Sequence, residues 1–496
     1  MWMRSDERRL AASVVRLAHA NPFLEQRIEA EREILGSEHA AGRRFWHGEQ
    51  GSAHVTRIQE RVEPLVESLG DRLRAGAGAP KDELELYRDL VLYSLYNRYE
   101  AGLLAVIERA DHGTSRVGLY RRFAADYERA AEFAGGFEGE RGVAHLFAFF
   151  FQLRRAFHLI FRQIYGGSIP AARLRASVWQ SVFTRDLRRY RRSLYGRMGD
   201  VTTLITGPSG TGKELVARAV GFSRYIPFDA ARQRFTEDFE SSFYALNLSA
   251  LSPTLIESEL FGHRRGAFTG AIEDRPGWLE ACPALGTIFL DEIGEIEPAI
   301  QVKLLRVLET RTFQRLGDTQ DRRFEGKVVA ATNRDLFRQM RRGAIREDFY
   351  YRLCSDRIET PTLAAQIRDN PDEFPRLVER LALRIAGEGE AAALTRETVR
   401  WIRAEIDADY PWPGNVRELA QCVRNVMIRG SYEPRPELPE TPRGGLKETL
   451  AGCELSLGEL ETAFIEAVYA RTGSYQAAAR QLGIDRRTVK AKLLRG

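Results

Sequence analysis

The sequence predicts an α/β domain built on a mainly parallel sheet, preceded by an all-helical region and followed by a small helix-turn-helix. Three observations carry this. From about residue 202, short apolar runs alternate with helical segments, the rhythm of a parallel sheet with crossover helices. Before residue 175 that rhythm is absent, and apolar residues recur at helical spacing instead. At the other end, Arg471 to Gly496 carries seven basic residues against Asp485 alone, a net +6.

The 496 residues suggest about three domains. With 44% hydrophobic and 29% charged residues, the chain reads as globular rather than disordered. The formal charge is +5, so the chain outside the basic end is nearly neutral. A compact basic end is the footprint expected for phosphate backbone. Cys282, Cys354, Cys422 and Cys453 are scattered, with no C-x-x-C pair and no nearby His at metal spacing, which indicates neither a disulfide framework nor a zinc site and fits a reducing cytoplasm. The first residues, MWMRSDERRL, lack the apolar core of a signal peptide. The stretch His145 to Phe161 is interrupted by Arg154 and Arg155 and falls short of the ~20 residues that span a bilayer. It reads as a buried helix, and no membrane partner is expected.

Residues 1–175 are expected to be helical. Leu84, Tyr87, Leu90, Val91, Tyr93, Leu95 and Tyr96 follow helical spacing, and Leu103 to Ile107 continues it. Gly135, Gly136, Gly139 and Gly142 mark a loop before a helix from Val143 to Tyr165. The absence of strands argues against a phosphorylation-receiver domain. A sensor for an unknown ligand or protein and a helical packing or oligomerisation domain both fit.

Expected strands are Thr202 to Thr206, Tyr244 to Leu248, Thr287 to Leu290 and Lys327 to Thr332. After the first comes Gly207-Pro208-Ser209-Gly210-Thr211-Gly212-Lys213, then a helix from Lys213 to Val220. A strand, a glycine-rich turn and a helix are the context of a P-loop. Backbone N–H groups and the helix N-terminus cradle phosphates, and Lys213 would reach the β- and γ-phosphates. The general motif has Ser or Thr next, to hold Mg²⁺; here the residue is Glu214. The third strand runs into Asp291-Glu292, the Walker B pattern, in which Asp291 would hold Mg²⁺ through water and Glu292 would polarise the attacking water. A helical segment from about Pro371 to Arg429 follows, and Ser431 to Gly445, rich in Pro, Glu and Gly, reads as a linker.

At the end, a helix from Ser474 to Leu482, a turn at Gly483-Ile484-Asp485 and a basic helix from Arg486 to Leu494 make a helix-turn-helix pattern. Asp485 is the expected N-cap. Val489 and Leu493 would face inward. Arg486, Arg487, Thr488, Lys490 and Lys492 would face double-stranded DNA, with base readout from Arg486, Arg487 and Lys490. The plainer alternative is a solvated basic helix.

Glu257-Ser-Glu-Leu-Phe-Gly-His263 leads into Gly266-Ala267-Phe268-Thr269-Gly270-Ala271. With the P-loop and the acidic strand end in the same order, this resembles the sigma-54 activators, or bacterial enhancer-binding proteins. The resemblance covers roughly Ser177 to Arg429 and implies an AAA+ P-loop ATPase with a helical lid, a ring that is usually a hexamer, ATP between subunits, and a Fis-type DNA-binding end. It implies that Glu after the P-loop lysine is normal, that Asn247 contacts Glu292, and that Gly266 to Ala271 touches sigma-54 with Phe268 and Thr269 at its exposed tip. It further implies that Asn333 is sensor I, that Arg346 and Arg352 are arginine fingers given to the neighbouring subunit, and that Arg417, in Tyr410-Pro-Trp-Pro-Gly-Asn-Val-Arg417, is sensor II on the phosphates. The expected partner is sigma-54 RNA polymerase holoenzyme, with ATP and Mg²⁺ as cofactors. Two departures stand out. Gly221 to Phe243 is longer than usual and reads as a surface insertion, and Thr362-Leu-Ala-Ala-Gln-Ile-Arg matches the family weakly. The expected domains are 1–175 regulatory, 176–360 ATPase, 361–430 lid, 431–452 linker and 453–496 DNA-binding.

Overall fold

The structure is a computed structural model and describes residues 2–39, 48–109, 115–133, 142–238, 243–434, 457–472 and 474–493. The chain divides into two compact units, residues 1–431 and 432–496.

The first unit opens with helices α1 (Ser5–His19), α2 (Glu25–Leu35), α3 (Gly48–Arg74), α4 (Lys81–Ile107), α5 (Leu119–Phe133), α6 (Val143–Gln163) and α7 (Ile169–Phe183). The Glu7 carboxylate fixes the start of α1 by accepting the Arg4 backbone N–H at 2.8 Å. Arg72 of α3 also grips that carboxylate, at 2.7 and 2.8 Å, and holds its pKa down at about 2. The expected buried helix is α6. Every residue from Leu146 to Gln152 is buried, because α4, α5, α7, the helix Lys213–Gly221 and the strand Phe228–Asp229 pack around it. Of the glycines expected to precede it, Gly135, Gly136 and Gly139 lie outside the described residues. No helix among the described residues is long and apolar enough to cross a membrane.

The sheet has five parallel strands: β1 (Thr203–Thr206), β2 (Phe243–Asn247), β3 (Thr287–Asp291), β4 (Lys327–Thr332) and β5 (Asp356–Glu359), in the order β5-β1-β4-β3-β2. β4 is buried along its whole length, as a central parallel strand covered on both faces must be. Helix α8 (Lys213–Gly221) follows β1 and packs on both the sheet and α6. Four helices then form the lid: α9 (Leu363–Asp369), α10 (Glu373–Ala386), α11 (Glu388–Glu405) and α12 (Asn415–Arg429). Together the sheet and helices make the AAA+ fold.

Two expectations about layout are corrected. The stretch Gly221 to Phe243 is not a surface insertion. Phe228–Asp229 pairs antiparallel with Arg234–Phe235, and both phenylalanines are buried against the N-terminal helices. The Phe235 ring lies 4.0 Å from Phe151, and Phe228 lies 4.7 Å from Tyr120 and 4.8 Å from Phe147. Val117 N–H donates to the Gln233 carbonyl at 2.7 Å, closing the join. Second, α7 runs unbroken through residue 175. One apolar core spans the helical region and one face of the sheet, from Val14 and Leu90 to Phe289 and Val329.

The second unit holds α13 (Leu457–Thr472), α14 (Tyr475–Leu482) and α15 (Arg486–Leu493) around Ile465, Val468, Ala478, Ala479 and Val489. Gly483 takes φ +68° between the last two helices, a left-handed turn that glycine adopts without strain. Residues 435–456, which hold most of the expected linker and Cys453, lie outside the described residues.

Candidate functional site

The P-loop, Asp291 and Asn333 all leave the carboxyl ends of β1, β3 and β4, where open parallel sheets bind ligands. Gly207 and Gly210 take φ of +144° and +78°. A Cβ at Gly207 would sit 2.1 Å from the Thr360 hydroxyl, and one at Gly210 would sit 2.2 Å from the Gly414 carbonyl. Neither position admits a side chain. Gly212, at φ +90°, begins α8 and leads directly into Lys213.

Lys213 is buried, and its ammonium donates to the Gly207 and Pro208 carbonyls at 3.0 and 3.1 Å. Burial lowers its pKa, while the charges of Glu292 and Asp291 act to raise it. Asp291 is half-buried and its pKa is raised, first by burial and then by the Glu292 charge. Its carboxylate accepts the Glu292 N–H at 3.0 Å. Glu292 sits at φ +55°, a left-handed conformation that costs a non-glycine residue of order 1 kcal/mol or more. The Glu292 carboxylate accepts the Asn333 backbone N–H at 3.3 Å, joining the ends of β3 and β4. Glu214 turns away from this cluster and pairs with Arg218 at 2.8 Å. Thr211 shares a hydrogen bond with Thr360 at 2.7 Å.

Asn247 lies in register opposite Asp291, but the expected contact with Glu292 is not made. Its side-chain oxygen accepts from the Ser249 backbone and hydroxyl, at 3.0 and 2.8 Å, capping the turn that follows.

The lid reaches the P-loop through Arg417, which donates to the Ser209 hydroxyl at 2.7 Å. Asn415, at φ +52°, holds the same place more deeply. Its amide donates to the Ser209 carbonyl at 2.9 Å, and its oxygen accepts the Leu363 N–H at 2.9 Å. Val416 N–H donates to the Gly210 carbonyl at 3.1 Å. Asn415 and Thr360 were not singled out from sequence. The one sequence signal for Asn415 was its residue type, since Asn takes the left-handed conformation more readily than other non-glycine residues. A cavity of about 770 Å³ opens between the P-loop, Asp291, Glu292 and the lid, and the turn between α6 and α7, including Tyr165 and Gly166, forms one wall.

Arg346 and Arg352 are exposed and away from this cavity. Arg346 is forked onto Asp348 at 2.7 and 3.0 Å, and Arg352 donates to the Leu308 carbonyl at 3.2 Å.

The loop Gly266 to Ala271 is closed by Gly266 N–H donating to the Ala271 carbonyl at 2.9 Å and Ala271 N–H to the Phe268 carbonyl at 3.0 Å. Thr269 and Gly270 are exposed, whereas Phe268 is only half-exposed. Its ring meets His263 edge-on at 5.0 Å, which corrects the expectation of an exposed Phe. Ile272, one residue beyond the loop, is 83% exposed and is the apolar group that reaches solvent there. A second loop supports the first: Arg264 N–H donates to the Leu316 carbonyl at 2.9 Å, and a Cβ at Gly317 would lie 3.0 Å from the Ala267 methyl.

In the second unit the Asp485 carboxylate accepts the Arg487 N–H at 2.7 Å, capping α15. Val489 is buried, and Arg486, Arg487, Thr488 and Lys490 are exposed. Lys492 differs from expectation: its ammonium donates to Glu461 of α13 at 2.8 Å.

The fold and the strand-end cluster define a P-loop module of the AAA+ class. Residues 184–359 match the sigma-54 interaction domain. Among similar proteins, the transcriptional regulatory protein ZraR of Escherichia coli is 39% identical over 310 residues, 60% of this chain and 64% of ZraR. The hydrogenase transcriptional regulatory protein HoxA of Bradyrhizobium diazoefficiens is 36% identical over 310 residues, 60% of this chain and 59% of HoxA. The Nif-specific regulatory protein of Azotobacter vinelandii is 42% identical over 228 residues, 46% of this chain and 40% of that protein. A crystal structure of NtrX from Brucella abortus shares 26% identity over 75% of this chain and 74% of its own, at a TM-score of 0.41, too loose to add weight. The chain thus spans under two thirds of these curated relatives. Residues 184–359 thus form a sigma-54 interaction domain, and it is through this central module that the chain is similar to these regulatory proteins.

Proposed function

We propose that this chain hydrolyses ATP to remodel sigma-54 RNA polymerase holoenzyme from closed to open promoter complexes, while its basic end holds double-stranded DNA upstream. The observation that carries the proposal is the joining, in one module, of a P-loop facing two strand-end carboxylates with the loop Gly266 to Ala271. Lys213 and Arg417 would neutralise the phosphates, and the P-loop amides would orient them. Glu292, already fixed by Asn333, would hold and polarise the attacking water. Asn247, released from Ser249, would be the partner that repositions Glu292. Asp291 and Glu292 fit a divalent cation, because two half-buried carboxylates side by side raise the pKa of Asp291 and a cation would relieve that repulsion. Bound Mg²⁺ would supply positive charge at the phosphate oxygens. Arg346 and Arg352, displaced from their own chain's cavity, would complete a neighbour's site in a hexameric ring, so hydrolysis would need assembly. The cytoplasm is the compartment this function requires.

The helical region would gate the motor. Its α6 packs on α8 and covers Phe228 and Phe235 with Phe147 and Phe151, and its α6–α7 turn walls the nucleotide cavity. The second reading is an AAA+ DNA-binding regulator that acts without sigma-54, such as a repressor.

The deciding experiment is open-complex formation on a sigma-54 promoter with an upstream site, with ATP, comparing wild type with Thr269→Ala. Opening by the wild type alone, with hydrolysis in both, supports the proposal. Hydrolysis by both with no opening by either, in the presence of sigma-54 and across activating conditions for the helical region, favours the second reading.

A further inference from the structure

The helical region contains a second cluster with its own chemistry. Glu31 of α2, His39 just past the single turn Gly36–Glu38, and His54 of α3 offer ligand atoms that all lie within 4.8 Å of one another. All three side chains are buried, with Glu31 at 1% and His54 at 4% exposure. Among the described residues, no other three His, Cys, Asp or Glu side chains converge this closely.

We propose that Glu31, His39 and His54 bind one divalent transition-metal ion, leaving at least one position for water. Two imidazoles and one carboxylate are the donor set of open zinc sites and of non-haem iron(II) sites, and they disfavour Mg²⁺ and Ca²⁺. The geometry is close to what such an ion needs. Zinc bonds of about 2.0–2.2 Å place tetrahedral donors roughly 3.3–3.5 Å apart. Glu31 Oε2 is 3.3 Å from His54 Nδ1 and 4.0 Å from His39 Nε2, and the ligand atoms of all three lie within 4.8 Å of one another, so His39 has to close in for all three to bind one ion. His39 sits on the turn just past Gly36–Glu38. The other Glu31 oxygen accepts from Arg27 Nε at 3.0 Å, an outer contact that aims Oε2 at the imidazoles. The two rings lie 4.7 Å apart, centroid to centroid.

This inference stands independently of the proposed motor activity. The test uses the full chain, stripped of metal with a chelator and then titrated with Zn²⁺, or with Co²⁺ to read its visible absorption. Wild type is compared with His39→Ala, His54→Gln and the two combined, with circular dichroism as the check of folding. The expected result is one equivalent of Zn²⁺ per chain retained after desalting, Co²⁺ bands of low coordination number, and a Zn²⁺-dependent rise in melting temperature. Each single variant should weaken binding by on the order of 100-fold or more. His39→Ala carries the test if His54→Gln fails to fold, because its side chain hangs from a turn. Wild-type binding no tighter than that of folded His39→Ala overturns the proposal, as does a wild type that binds no Zn²⁺.

Discussion

Phe235, on the hairpin that follows the P-loop helix, lies with its ring 4.0 Å from that of Phe151 on α6. An aromatic pair of this kind stabilises through its buried area and ring packing. Phe235→Ala should therefore cost about 3–5 kcal/mol, the usual range for a buried Phe truncation. Urea unfolding followed by tryptophan fluorescence measures it. A loss under about 1 kcal/mol would remove the hairpin from the core.

Glu292→Gln should keep ATP affinity near that of the wild type and lower hydrolysis by about 10²–10⁴-fold, the range for a group that positions and polarises water. Lys213→Ala should lose nucleotide affinity itself. Fluorescent-nucleotide titration and phosphate release separate the two effects. Normal turnover in Glu292→Gln would reassign the water-activating role.

Arg346→Ala should bind nucleotide normally and hydrolyse on the order of 10³-fold more slowly, because its guanidinium would act on a neighbour's ATP. Mixing it with Lys213→Ala chains should restore part of the rate, since some interfaces then combine an intact P-loop with an intact arginine. A mixture no faster than its components would argue against transfer between subunits.

Lys327 is buried on β4, where its ammonium donates to the Met198 and Val201 carbonyls at 3.2 and 2.7 Å. Burial pushes its pKa from the usual 10.5 down to about 7. Between those values the folded protein holds fewer protons on this amine than the unfolded chain does, so its contribution to stability improves as pH rises and is lost as pH falls toward 7. The slope is at most about 1.4 kcal/mol per pH unit. Lys327→Met should lack this slope, and wild type and variant should diverge in melting temperature across that window. Parallel pH profiles would sink the idea.

Arg487→Ala should weaken DNA binding and flatten the salt dependence of the affinity by about one ion. Lys492→Ala should do less, because Glu461 already holds that ammonium at 2.8 Å. Fluorescence anisotropy at several salt concentrations distinguishes them. Equal effects would show that the Lys492 pairing breaks on DNA.

Four of the five sheet strands were legible in the sequence: the three interior ones because they bury both faces and so read as apolar runs, and the edge strand Phe243–Asn247 because it too is an unbroken run of apolar residues up to Asn247. The fifth, Asp356–Glu359, buries only Ile358 at the sheet edge, and one apolar residue makes no pattern. The P-loop and acidic strand end were legible because phosphate chemistry constrains residue type and spacing together. Asn415 was not, since its value lies in two hydrogen bonds to segments distant in sequence. Nor was the burial of Phe228 and Phe235, whose partners lie some eighty or more residues upstream and leave no local periodicity. Phe268 read as exposed because the glycines around it say nothing about His263 beneath.

The wall that Tyr165 and Gly166 lend to the nucleotide cavity has a practical consequence for dissecting the protein. There is no clean seam at residue 175: a cut there would sever α7 midway, strip one side from the cavity and uncover the aromatic floor under the hairpin. A shortened motor that fell silent would report surgical damage rather than the loss of an activating signal. Asking what the helical region does to the motor therefore calls for point substitutions at the join, made in the intact chain.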